Sequence, residues 1–155
     1  MPVTKYPDFQ ATKAGIYREM DHALTQSMNA IERQVKLRYT GPTGSASLSA
    51  PSGRLRSAVR REKRGGPWPA PIEARVYMPP PSEGGPVYAR IHETGGIIRP
   101  RRFQFLRFKV GGRWVRARQV RIPSRPVWAK SAEEMRERVR GFFLAASARI
   151  RLATR

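Results

Sequence analysis

The sequence predicts an α+β fold, with long N-terminal and C-terminal helices packed on one face of a small, mostly antiparallel β-sheet that carries a long basic β-hairpin. Three observations carry that expectation. Apolar residues recur every three or four positions over 8–39 and again over 131–153. Between these stretches they alternate instead, in short runs bounded by Gly and Pro. The 155 residues suffice for one core but not for two, so 1–155 is read as a single domain.

In the first stretch Ile16, Met20, Leu24, Met28, Ile31 and Val35 share one helical face, widened by Ala23, Ala30 and Leu37. Glu19, Asp21, Glu32, Arg33 and Lys36 fall mostly on the other side. Asp8 is placed to cap the helix, and Gly41-Pro42 stops it, with Gly41 able to take a left-handed cap. Residues 40–53 are small and polar and are expected to form a flexible loop. A short helix is expected over 52–62, capped by Ser52 and packed through Leu55 and Val59. Residues 65–71 form a Pro-rich, stiff, extended connector.

Ile72 to Met78 alternates as a strand does, and Pro79-Pro80-Pro81 ends it. Residues 86–93 fit a short element; Pro86 at a first helical position and Gly95-Gly96 as terminators favour helix. Ile97-Ile98 opens a further β segment. Residues 103–110 and 113–122 read as strands joined by Gly111-Gly112, the link a hairpin needs, so 99–122 is expected to be a basic hairpin. The last helix is expected over 131–153, with Ser131 and Glu134 as a capping box. Its stripe is Met135, Val139, Phe142, Phe143, Ala146, Ile150 and Ala153.

Charge is the strongest compositional signal. Lys and Arg total 31 against 11 Asp and Glu, a net charge of +20. Residues 51–64 carry six cations and one anion, and residues 99–125 carry ten cations and no anion. A run of that kind repels itself unless something negative lies opposite, either nucleic acid or an acidic protein surface. The candidate contact residues are Arg54, Arg56, Arg60, Arg61, Arg99, Arg101, Arg102, Arg113, Arg116 and Arg118. Phe103, Phe105, Phe108 and Trp114 lie among these cations and are expected to be the core side of the hairpin rather than a stacking platform for bases.

Composition also excludes much. With no cysteine there is no disulfide, Cys-ligated metal or Cys nucleophile. No apolar run reaches the roughly 18 residues of a membrane span, and MPVTKYPDFQ lacks a secretory apolar stretch, so a soluble cytoplasmic protein without a membrane partner is expected. His92-Glu93 lacks the second His of a metalloprotease helix, since the i+4 position is Gly96. The acids are scattered over solvent faces, and no phosphate-binding or dinucleotide-binding Gly motif is present. The expectation is no enzyme, no metal and no cofactor. His22 is expected at the surface, and His92 as a half-buried imidazole hydrogen-bonded to the loop.

Four segments, in order, resemble the neck or tail-completion proteins of long-tailed bacteriophages, the family of virion morphogenesis or head–tail joining proteins. They are the long first helix; Gly53-Arg54-Leu55-Arg56-Ser57-Ala58-Val59 after a flexible loop; Tyr88-Ala89-Arg90-Ile91-His92-Glu93 running to Gly95-Gly96; and Arg125-Pro126-Val127-Trp128 before the last helix. Trp128 replaces the family's usual Phe, and the 99–122 hairpin is longer and more basic than the family pattern. The resemblance implies a structural protein of the virion, assembled in the host cytoplasm. It implies a ring of neighbouring copies, commonly six-fold, between the head connector or head-closure protein and the tail terminator or tail tube. Duplex DNA would pass through that ring. On this likeness Leu55, Tyr88, Ala89, His92, Glu93, Gly95, Arg125, Pro126 and Trp128 are structural residues of the motif. The competing reading is a cytoplasmic nucleic-acid-binding module that touches phosphates through 54–64 and 99–125. It leaves the Tyr88–Gly96 and Arg125–Trp128 segments without a role.

Overall fold

The computed structural model describes residues 9–44, 46–49, 52–66 and 70–153. The Asp8 cap and the Pro67-Trp68-Pro69 stretch of the connector lie outside the described residues. The elements follow as α1 (Phe9–Arg38), α2 (Arg54–Ala58), β1 (Arg60–Arg64), β2 (Glu73–Tyr77), a 3-10 turn (Pro81–Glu83), α3 (Ala89–Thr94), β3 (Gly96–Ile98), β4 (Leu106–Val110), β5 (Arg113–Ala117), β6 (Val120–Ile122) and α4 (Val127–Ala153).

The fold is α+β, with long helices at both ends of the sequence and antiparallel pairing between them. The strands form three separate two-stranded ladders, β1–β2, β3–β6 and β4–β5, in place of one continuous sheet. The most extensive packing joins α1 to α4, and β1 and β2 lie against α1. Apolar stripes on two long helices cover each other first, and the short strands pair where the chain returns past them.

The core sits where the C-terminal end of α1, α2 and the start of α4 converge. Val35, Tyr39, Leu48, Leu55, Val59 and Val127 are buried there, flanked by Ile31, Val76, Met78, Ala89 and Trp128. Further along the helix pair Ala23, Met28 and Ala146 are also buried. The expected α1 stripe holds over this length, but its edges are open, with Ile16 and Leu37 exposed.

Several local expectations are corrected. The helix expected over 52–62 stops at Ala58, because Val59 turns extended and Arg60 to Arg64 pair with Tyr77 to Glu73 as a ladder. Ladder pairing overrides helix propensity there. Ser52 is not the N-cap of α2, which is Gly53 in a left-handed conformation; the Ser52 hydroxyl accepts only a long bond, 3.5 Å, from the Arg54 amide. Gly41 is not left-handed either. The Thr40 and Gly41 amides and the Thr40 hydroxyl all donate to the Leu37 carbonyl, which closes α1 without it.

The 40–53 loop is tied down where it is described. Leu48 is buried in the core, its amide donating to the Arg38 carbonyl at 3.0 Å, and Arg38 donates to the Ala46 carbonyl at 2.6 Å. The 65–71 connector joins the antiparallel strands β1 and β2, and its middle lies outside the described residues. Pro86 precedes α3 by three residues instead of opening it. The 113–122 strand breaks at Arg118-Gln119 into β5 and β6, and the hairpin proper spans 106–117. Gly111 and Gly112 both have positive φ (55° and 81°), as a tight two-residue hairpin turn requires.

Helix α4 begins at Val127, one turn before the expected Ser131. Ser131 is fully buried inside the helix, and its hydroxyl donates to the Val127 carbonyl at 2.6 Å, so it forms no capping box. Glu134 instead accepts hydrogen bonds from Arg38 and from Gln34 of α1.

Candidate functional site

Two features stand out below the helical body. One is a joint that carries the resemblance motifs. The other is the arm that the joint holds, running from β3 to β6.

The joint is built on the N-terminus of α4. The first amides of a helix lack intrahelical acceptors and carry partial positive charge. Glu93, in the last turn of α3, supplies the acceptor. Its carboxylate takes hydrogen bonds from the Trp128 amide at 3.0 Å and the Ala129 amide at 3.3 Å. The neighbouring backbone closes the joint. The Arg125 amide donates to the His92 carbonyl at 2.7 Å, and the Ser124 hydroxyl to the Glu93 carbonyl at 2.7 Å. Gly95 sits in the left-handed region (φ 70°), and a Cβ there would lie 2.8 Å from the Ser124 amide nitrogen.

The joint is anchored to the body through Trp128, whose indole N–H donates to the Tyr39 hydroxyl at 3.1 Å. Burial, against the lowering effect of that hydrogen bond, pushes the Tyr39 phenol up to about 12. Ala89 packs on the core, and Tyr88 meets His92 edge to face at 5.9 Å between ring centroids. His92 is half-buried, but the expected side-chain hydrogen bond to the loop is not made: Nδ1 is buried without a partner. Burial first, and the Arg125 charge second, lower its pKa. So Tyr88, Ala89, His92, Glu93, Gly95, Arg125, Pro126 and Trp128 lie together, while Leu55 belongs to the core of the body. Sequence reasoning placed these residues in motifs but missed that Glu93 caps α4 from 35 residues away. No local spacing rule can show such a cap.

The two basic segments differ. In 54–64 the cations are largely engaged. Arg61 hydrogen-bonds Asn29 and faces Glu32 at 3.5 Å, Lys63 holds Asp21 at 2.7 Å, and Arg64 pairs with Glu62. Arg60 donates to the Ser57 carbonyl at 3.2 Å. Arg54 and Arg56 are exposed on α2. The acids of the body lie at the surface and are mostly paired there: Glu19 with Arg149, Glu62 also with Arg75, and Glu134 with Arg38.

The arm is the opposite case. Among the described residues, no ion pair involves any cation from Arg99 to Arg125. Arg99 donates to the neutral Gln119 side chain at 3.4 Å. The β4–β5 register sets Arg107 against Arg116 and Lys109 against Trp114, so these four share one face. The other face carries Leu106, Phe108, Val110, Val115, Ala117 and Arg113.

Trp114 lies under two cations, with the Arg107 guanidinium 4.4 Å and the Lys109 ammonium 5.1 Å from its ring centroid. At the hairpin's root, Arg99, Arg101, Arg107 and Arg116, with Phe103 and Phe105, line an open cleft of about 760 Å³. Arg102 and Arg118 are exposed outside the ladders.

Three of the four aromatics are not the core side of the hairpin: Phe103 is 80 % exposed, Trp114 58 % and Phe105 41 %, while Phe108 is half-buried on the apolar face. The hairpin has no layer beneath it, so alternation alone could not bury them. Arg107 and Lys109 were missed as contact residues. Counting outward from Gly111-Gly112 places Arg107 opposite Arg116 and would have found both.

Among the described residues, no three His, Asp or Glu side chains cluster to hold a metal ion. No described helix is long and apolar enough to cross a membrane. No family model, curated protein or solved structure matches the chain.

Proposed function

We propose that the protein is a structural component of a tailed-phage virion, a ring-forming neck or tail-completion protein that joins the tail to the DNA-filled head. The observation that carries this reading is the arm. From Gly96 to Ile122 no described residue is buried, yet Ile97, Phe103, Val110 and Trp114 are each more than half exposed. An isolated two-stranded hairpin is marginal in water. An arm with apolar residues and no core is therefore suited to be completed by other subunits, as a ring of identical copies would do.

The joint supports the same reading. The residues of the resemblance motifs fix the arm to the helical body through hydrogen bonds and a helix cap, a mechanical role rather than a chemical one. The partners are neighbouring copies, commonly six, with the head connector or head-closure protein on one side and the tail terminator or tube on the other. Duplex DNA in the channel is a further partner.

Deletion of the gene from the producing phage, followed by electron microscopy of the lysate, tests the role. Full heads beside finished, unattached tails are the expected result. Normal joined particles would overturn it. They would leave the nucleic-acid-binding module, with 99–125 rather than 54–64, half of whose cations are ion-paired, as its contact surface.

A further inference from the structure

We propose that the Arg107–Lys109–Trp114–Arg116 face of the hairpin, with Arg99 and Arg101 at its root, is a docking surface for the phosphate backbone of a nucleic-acid duplex, which it holds without reading base sequence. The binding reading stands apart from the assembly role, since it concerns the chain in isolation.

The first argument is the register. Arg107 and Arg116 are directly opposed on an antiparallel ladder. Side chains so placed have Cβ atoms about 5 Å apart, and like charges there destabilise the pair. No acid occurs in the sequence between Glu93 and Glu133 to relieve them. Elsewhere the molecule does place acids beside its cations, at Glu19, Asp21, Glu32, Glu62 and Glu134. A polyanion from outside is the missing counter-charge.

The second argument selects phosphate over an acidic protein. A duplex carries one negative charge per roughly 1.7 Å of axis, dense enough to neutralise guanidinium groups clustered on one ladder and one cleft. The planar guanidinium fork matches phosphate and carboxylate oxygens alike, so the density of charge makes the selection.

The third argument concerns Trp114. Its ring lies beneath Arg107 and Lys109, so the indole holds the cations in place instead of offering a free platform for a base. That favours a duplex backbone over unstacked single strands. The ladder face carries no Asn, Gln, Asp or Glu to pair with adenine or cytosine edges, and its cations, which could also meet guanine, are assigned to phosphate by their crowding on a two-stranded ladder.

The test is fluorescence anisotropy on the full chain, with a labelled duplex of about 30 base pairs, the same length of single strand, and labelled poly-glutamate. Each is titrated between about 50 and 200 mM NaCl. Duplex affinity is expected to fall with salt at a log–log slope of about −3.5 to −4.5, as four or five phosphate contacts give. R107Q/R116Q should make the slope shallower by about 2 and weaken low-salt binding roughly tenfold or more. The charge-matched R33Q/R136Q, on the exposed surfaces of α1 and α4, should change the slope by less than about half that.

The double variant removes a like-charge pair from an exposed ladder, so its circular dichroism should match the parent. Any of four results would overturn the proposal: no duplex binding at low salt; equal losses from both double variants; single strand binding as tightly as duplex; or poly-glutamate doing so. The last would point to an acidic protein surface instead.

Discussion

The helical body and the arm are built from the same residue types and solve opposite problems. In the body, α1 and α4 cover each other's apolar stripes, Leu55 and Val127 are almost fully buried, and most acids sit against a cation. In the arm, apolar residues are exposed, cations face cations, and Arg107 opposes Arg116 across a ladder. A body of this kind is stable alone. An arm of this kind makes sense only against something else. The proposed function draws on the region that buries least, and such regions contribute least to stability.

The comparison breaks most visibly at the core. Leu55 is 2 % exposed in the cluster where three helices meet. Leu55→Ala should destabilise the chain by about 2–5 kcal/mol, from lost burial plus the cavity left behind. Denaturant unfolding measures it. A loss below about 1 kcal/mol would mean that the body has no fixed core there.

The joint comes next. Gly95→Ala puts a Cβ 2.8 Å from the Ser124 amide nitrogen and 3.1 Å from its Cα, on a backbone already in the left-handed region. Neither neighbour is a flexible side-chain end. A cost of about 1–3 kcal/mol is expected. Amide exchange should rise in 89–98 and 120–128 before it rises in the body. Uniform loss of protection would show that body and arm are not separable.

Glu93→Gln keeps the shape and removes the charge at the α4 N-terminus. About 1 kcal/mol should be lost, the usual worth of a cap and its interaction with the helix dipole. Thermal unfolding at low and high salt checks it, because the charge part is screened and the hydrogen-bond part is not. The joint also carries an alkaline signature. The Tyr39 phenol is held up at about 12, above its ordinary 10, chiefly by burial. Its contribution is fully present below pH 10 and is lost as pH rises through 12. Tyr39→Phe should flatten that limb of the stability profile.

Much of this division was legible beforehand. Periodicity located α1 and α4, and alternation with Gly111-Gly112 located the hairpin and its turn, because these signals are local. What failed was decided at a distance. Ser131 and Glu134 look like a capping box, but Glu93 reaches the helix first and starts it a turn earlier. Arg60 and Arg61 continue a helical pattern, but β2 is available to pair with them. The charge run falls on the arm, whose cations make no ion pair among the described residues. Its sorting into a cationic face and an apolar face needed the register, and the engagement of Arg61 and Lys63 needed α1 beside them.

The smallest effect is the sharpest test of the comparison. Among the described residues Phe103 is the most exposed large apolar one at 80 %, and it lines the arginine cleft. Buried phenylalanines cost about 3–5 kcal/mol when cut to alanine, but a side chain that remains in water has little burial to lose. Phe103→Ala should change stability by no more than about 0.5 kcal/mol. The same substitution should still matter once the arm is covered, because an exposed aromatic is then buried against a partner. Unfolding of the isolated chain and phage yield after substitution, measured side by side, decide between the two descriptions. Unchanged stability with reduced particle assembly places Phe103 in an interface. A stability loss comparable to that of Leu55→Ala would show that the arm keeps a core of its own, and the contrast with the body would fall.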